Sequence, residues 1–148
     1  MMLTIDASVA VKWFIDEPRH ELARDVMGQG HELTAPDLIL VEVANALRNK
    51  VRNGFANKAD MLTVLTRLPA MFGMLIGAQE TLIDAFEIGC RINHPVADCV
   101  YLACAKMIGA ALLTDDASLH AKAQSLVTDV KVILLSDWAP TLPLGPAA

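Results

Sequence analysis

Along the chain, short apolar runs alternate with longer stretches in which apolar residues return every three or four positions. The first pattern belongs to buried strands and the second to amphipathic helices. Residues 2–5 form the first such run; residues 8–14 and 21–27 read as helices, the second ending at Gly28 and Gly30. A short strand over 31–34 leads to Pro36-Asp37, a helix-start signal in which Asp37 is expected to cap a helix over 38–51 that Asn53-Gly54 ends. Residues 58–67 predict another helix, 71–76 a strand, and 81–91 a helix that closes at Asn93-His94-Pro95. Residues 97–108 predict a nearly all-apolar helix, 111–114 a strand, 117–126 a helix and 130–135 a last strand.

Strands that alternate with helices require right-handed crossovers, and therefore a parallel sheet covered on both faces. The expected fold is α/β, a three-layer α/β/α arrangement around a central parallel sheet of four or five strands. With 148 residues, 54% of them hydrophobic, the chain suits one domain with a substantial core. We place that domain at residues 1–138 and read 139–148 as a frayed, Pro-rich tail.

The longest apolar tract, residues 96–113, is long enough to invite a membrane reading, but it contains Asp98 and Lys106. Each would cost about 2.5–3.5 kcal/mol at a bilayer centre, so a buried helix followed by a strand is the expectation. The opening MMLTIDASVA has no basic region followed by a long apolar run. Cys90, Cys99 and Cys104 are odd in number and lack CxxC spacing, which argues against a disulfide framework and a zinc ribbon. A cytoplasmic protein with no membrane partner is expected. The net charge of −5 offers nucleic acid no general attraction, so contact with it would need bound metal or local basic patches.

The acids carry the chemical signal. Asp6 follows the first predicted strand and Asp115-Asp116 the fourth, and in an open parallel sheet ligands bind outside the carboxyl ends of strands. Glu42 and Asp98 interrupt helices that are otherwise apolar, where an unpartnered carboxylate is costly. Carboxylates gathered together need a cation, and Mg²⁺ favours oxygen ligands. Two such ions about 3.5–4 Å apart are able to activate water and stabilise the leaving oxygen of a phosphodiester. Ser8, Thr114 and Asn45 are supporting candidates, Asn45 because it lies one helical turn from Glu42.

Each residue also has a plainer reading. Asp6, Asp115 or Asp116 alone would serve as a helix cap. Glu42 and Asp98 have Arg48, Arg91 and Lys106 as structural ion-pair candidates. The four histidines lack metal-ligand spacing and receive no role. Lys12, Arg48, Lys50, Arg52, Lys58 and Arg67 give the chain a basic bias that suits either a phosphate backbone or a solvated face. Trp13 and Phe14 read as core or interface residues.

The segments IDASVAVKWF, APDLILVEVANAL, HPVADCVYLACA and LLTDDASL together resemble, in order, the four acidic motifs of PIN-domain, VapC-type toxins. That resemblance implies a PIN-like nuclease with Asp6, Glu42, Asp98 and Asp116 as catalytic, metal-holding residues, and Mg²⁺, or Mn²⁺ as a substitute, as cofactor. It implies RNA as substrate, transfer RNA included, a cognate antitoxin as partner, and a homodimer. The family's Thr-x-Asp maps onto Thr114 and Asp116, leaving Asp115 as an extra carboxylate. The alternative is a catalytically silent PIN-like scaffold, which would be expected to have lost an acid. Aspartyl-phosphate phosphatases and receiver domains fit less well, since neither the DxDx[TV] pattern nor an acidic pair near the N-terminus is present.

Overall fold

A computed structural model describes residues 1–127 and 129–139; nearly all of the expected tail, residues 140–148, lies outside this range. Five strands form one sheet: β1 (Met2–Ile5), β2 (Glu32–Pro36), β3 (Met74–Ile76), β4 (Ala111–Thr114) and β5 (Val132–Leu134). Every pairing is parallel and the spatial order is β3-β2-β1-β4-β5. The chain moves from β1 outward to β3, then crosses back to β4 on the far side of β1. The switch point therefore lies between β1 and β4.

The helices are α1 (Ala7–Ala10), α2 (His20–Met27), α3 (Leu38–Arg52), α4 (Lys58–Arg67), α5 (Ala78–Ile92), α6 (Val96–Ile108) and α7 (Ala117–Leu126). Right-handed crossovers put α1 to α4 on one face, where α1 and α3 touch each other and the sheet. Helices α5 and α6 pack together on the other face, with α6 against β1, β2 and β4 and α7 beside α5. The result is the expected three-layer α/β/α architecture.

The tract over 96–113 becomes α6 and β4, and α6 buries every residue from Cys99 to Ala105. No helix among the described residues is long and apolar enough to cross a membrane. Helix α3 instead buries a single stripe, Ile39, Val43 and Leu47, which leaves Glu42 half-buried on its flank. Trp13 is buried and donates its indole N–H to the Ala23 carbonyl, 2.9 Å away.

Several expectations need correction. Asp37 does not cap α3 with its side chain; its Oδ1 accepts from the Ala78 N–H at 3.0 Å and ties the start of α5 to the start of α3. The helix expected over 8–14 is one turn of α-helix followed by a 3₁₀ turn, Val11–Trp13. The strand expected over 71–76 begins at Met74, because Pro69 sits in a 3₁₀ turn, Leu68–Met71. Helix α5 starts at Ala78, three residues before the pattern suggested.

Candidate active site

Asp6 sits where β1 stops. Its backbone N–H continues the ladder by donating to Leu113 of β4 at 3.0 Å, and its carbonyl accepts from Val9 and Ala10 at the start of α1. The side chain does not cap that helix. Instead Oδ2 accepts two hydroxyl hydrogen bonds, from Ser8 and from Thr114, both at 2.7 Å. Among the described residues nothing donates to Oδ1. The two hydroxyls are themselves held by the β4 turn: Ser8 Oγ accepts from the Asp115 N–H and Thr114 Oγ1 from the Asp116 N–H, each at 3.0 Å.

The other acids arrive from both helical layers. Glu42 comes from α3 on one face, and its Oε1 accepts the phenolic hydrogen of Tyr101, which α6 presents from the other face. Asp98 lies in the first turn of α6, and its Oδ2 is 2.9 Å from His94 Nε2. Asp116 starts α7 and accepts from the Leu119 N–H at 3.1 Å, so it caps the helix as the plainer reading held; its Oδ2 also lies 3.9 Å from His94 Nε2. One ligand-type atom from each of His94, Asp98 and Asp116 falls within 4.8 Å of the others.

Charge repulsion links Asp6, Glu42 and Asp98. Burial, with help from the Asp98 and Glu42 charges, pushes the Asp6 carboxyl up to about 6 from an ordinary 3.8, against the pull of its two hydroxyl donors. Burial and Asp98 also raise Glu42, in spite of the Tyr101 hydrogen bond. The Tyr101 phenol is driven far above its usual range, first by burial and then by that bond, so it remains a donor. Hard oxygen donors that repel one another, with oxygens turned away from protein donors, fit a divalent cation of the Mg²⁺ type. Asp6, Glu42, Asp98 and Asp116 would hold it.

Asp115 points elsewhere. Its carboxylate takes a two-pronged contact from Arg19, at 2.8 and 2.9 Å, and lies 3.2 Å from Lys12 Nζ. Burial opposes its ionisation, but the hydrogen bonds from Arg19 and Lys12 outweigh that and hold its pKa below the ordinary value. Lys12 is buried and also reaches Glu17 at 3.3 Å, so it is withdrawn from any phosphate-tracking face. Lys50 likewise pairs with Glu17, at 3.0 Å. Neither Glu42 nor Asp98 pairs with Arg48, Arg91 or Lys106 among the described residues.

Asn45 is exposed and its side chain makes no hydrogen bond among the described residues, so the structure gives it no place in the cup. Sequence reading missed Tyr101, His94 and Arg19. For His94 a signal was present, since it stands four residues before Asp98. A cleft of about 350 Å³ opens beside Glu42, with Ser8, Lys12, Glu17 and Asp115 on its wall.

Comparison with known proteins agrees with this fold. The family model described as PIN domain matches residues 3–124. Ribonuclease VapC3 of Pyrobaculum aerophilum is 35% identical over 130 residues, covering 86% of this chain and 99% of that protein. Among solved structures, PAE2754 from Pyrobaculum aerophilum aligns with a TM-score of 0.64 at 20% identity, over 89% of each chain. VapBC2 from Rickettsia felis, solved bound to a DNA fragment from their promoter, aligns with a TM-score of 0.61 at 8% identity, over 90% of this chain and 98% of that one. These structures speak for the fold, while the family match and the sequence identity go further. With both spanning most of its length, the chain belongs to the PIN-domain family, among the VapC-type proteins.

Proposed function

We propose that this chain is a divalent-metal-dependent endoribonuclease, the toxin of a toxin–antitoxin pair, which hydrolyses RNA phosphodiester bonds at the cup formed by Asp6, Glu42, Asp98 and Asp116. One observation carries the reading: carboxylates from two strand ends and two opposed helical layers converge on one edge, where Asp6 is buried among like charges. A fold that needed only stability would not gather them, because buried like charges cost free energy. Membership of the VapC-type proteins points the same way.

Mg²⁺ is the cation of this reading, with Mn²⁺ as its substitute. When bound, it supplies the Lewis acidity that activates water and stabilises the leaving oxygen of a phosphodiester. The protein's own groups orient the acids: Ser8 and Thr114 fix one oxygen of Asp6, and Tyr101 fixes one oxygen of Glu42. Asp116 is held by the backbone of the helix it caps. Because the chain is acidic overall, RNA phosphates would approach a cup whose charge the cation offsets.

The same acidity suits an antitoxin with a basic segment, which would neutralise the cup as a cation does. Helices α3 and α4 leave an apolar groove lined by Leu47, Val51, Met61 and Leu65 together with Arg48 and Lys58, a surface for the remainder of such a segment. A homodimer in the cytoplasm completes the proposal.

The test is cleavage of a total RNA pool, transfer RNAs included, by antitoxin-free protein with Mg²⁺ or Mn²⁺, beside EDTA and Asp98→Asn controls. Cutting that disappears in both controls supports the nuclease. Silence from folded, metal-loaded protein would favour the scaffold reading.

A further inference from the structure

His94 connects two regions that the four acids alone do not explain. It occupies the turn between α5 and α6, and its side chain is 7% exposed. Nε2 faces the acids, 2.9 Å from Asp98 Oδ2 and 3.9 Å from Asp116 Oδ2. Nδ1 faces the other way, 3.3 Å from the Nζ of Lys122 on α7. Lys122 does not hang free, since the same Nζ donates to the Asn93 carbonyl at 2.7 Å.

Three protonation states of the ring are conceivable, and the two neighbours select one. A lysine ammonium carries three donors and no acceptor. Imidazolium would aim an N–H at that ammonium from Nδ1, and so would the neutral ring protonated on Nδ1. Only the neutral ring protonated on Nε2 satisfies both sides: Nδ1 accepts from Lys122, and Nε2–H donates to Asp98. A ring in that state has no lone pair on Nε2 for a cation. Ligation through Nε2 would require the proton to move to Nδ1, against Lys122.

We infer that Lys122 locks His94 in the Nε2–H tautomer and that His94 thereby fixes Asp98 as a positioning residue, not a metal ligand. The inference rests on the proposed role of Asp98 as a metal holder. It makes the site a relay across two elements: α7 sets the ring, the ring sets Oδ2 of Asp98, and Oδ1 is left for a cation. Partners of this kind, one step removed from the ion, typically change metal affinity by about 10- to 100-fold when removed. The turn is built to hold the ring in place. Asn93 takes a left-handed conformation, φ 51°, and both Asn93 and His94 donate backbone N–H groups to the Gly89 carbonyl.

The test combines two readouts on the full chain. The first is ¹⁵N NMR of histidine-labelled, metal-free protein, which reports the tautomer directly. The expected result is a protonated Nε2 and an unprotonated Nδ1 at His94 in the wild type and in Lys122→Gln, whose amide also donates. In Lys122→Met the preference should weaken. The second is Mn²⁺ titration by calorimetry. His94→Ala should lose about 10- to 100-fold in affinity. His94→Gln should recover most of that, because its amide donates to Asp98 and its carbonyl accepts from Lys122. An unprotonated Nε2, or a His94→Gln variant that folds yet binds Mn²⁺ as poorly as His94→Ala, would overturn the relay. Wild-type protein that shows the Nε2–H tautomer but binds no Mn²⁺ would instead overturn the metal reading of the acids, while leaving the tautomer lock in place.

Discussion

Tyr101 donates its phenolic hydrogen to Glu42 across the carboxyl edge of the sheet, so a helix of one layer orients the acid of the other. Tyr101 is fully buried and its proton is retained far above the ordinary range, first by burial. This one bond joins α3 to α6 at the site.

Tyr101→Phe should therefore loosen Glu42 while sparing the core volume. We expect a stability loss of about 1–2 kcal/mol in urea unfolding and weaker Mn²⁺ binding. Unchanged affinity would show that Glu42 does not depend on the bond.

The Asp6 carboxyl titrates near 6 in the fold because burial, the largest cause, disfavours its charge. The sign follows: the protonated form stabilises the fold, fully below the unfolded pKa of about 3.9, and this contribution of about 3 kcal/mol is lost as pH rises through the folded value. In EDTA, Asp6→Asn should match the wild type near pH 4 and exceed it in stability near pH 7.5. Divalent cation should stabilise the wild type near pH 7.5 and do little for Asp6→Asn. A difference between the two proteins that does not vary with pH would refute the argument.

Asp115 and Asp116 are neighbours with separate duties. Asp115 is held ionised by Arg19 and Lys12, so its contribution is present above the ordinary carboxylate range and lost as pH falls through its lowered pKa. Asp115→Asn should cost about 2–3 kcal/mol, since it weakens the pairing of buried Lys12, and leave Mn²⁺ affinity nearly intact. Asp116→Asn should show the reverse pattern. Melting curves with and without Mn²⁺ distinguish them.

Gly89 brings the turn that carries His94 close to α5. A Cβ there would sit 3.0 Å from the His94 carbonyl oxygen, which is backbone and cannot swing aside. Gly89→Ala gains about 1 kcal/mol of helix propensity, yet we expect a net loss of about 1–2 kcal/mol from overpacking. A more stable variant in urea unfolding would mean that the turn yields without strain.

Much of this was legible in the chain because burial imposes period. The runs at 2–5 and 111–114 read as interior strands, and the apolar tract after Asp98 as an interior helix. Against that background Glu42 and Asp98 stand out as charges in places where charge is expensive, Asp6 and the Asp115-Asp116 pair stand at strand ends, and the preference for Asp116 comes from the family resemblance alone. Element ends were less legible. Asp37 resembled a cap, but a backbone N–H from α5, distant in sequence, competed for its carboxylate.

By itself the sequence determined the layered α/β fold and the placing of acids at strand ends and in otherwise apolar helices, since hydrophobic period and the cost of buried charge are local and additive along a chain. Only the tertiary structure decided which neighbours those acids keep. It turned Asp115 toward Arg19 and Lys12, gave Glu42 its partner Tyr101, and set Lys122 behind His94. Hydrogen bonds and ion pairs act over about 3 Å, and the groups that make them here come from elements tens of residues apart. No spacing along the chain records such distances.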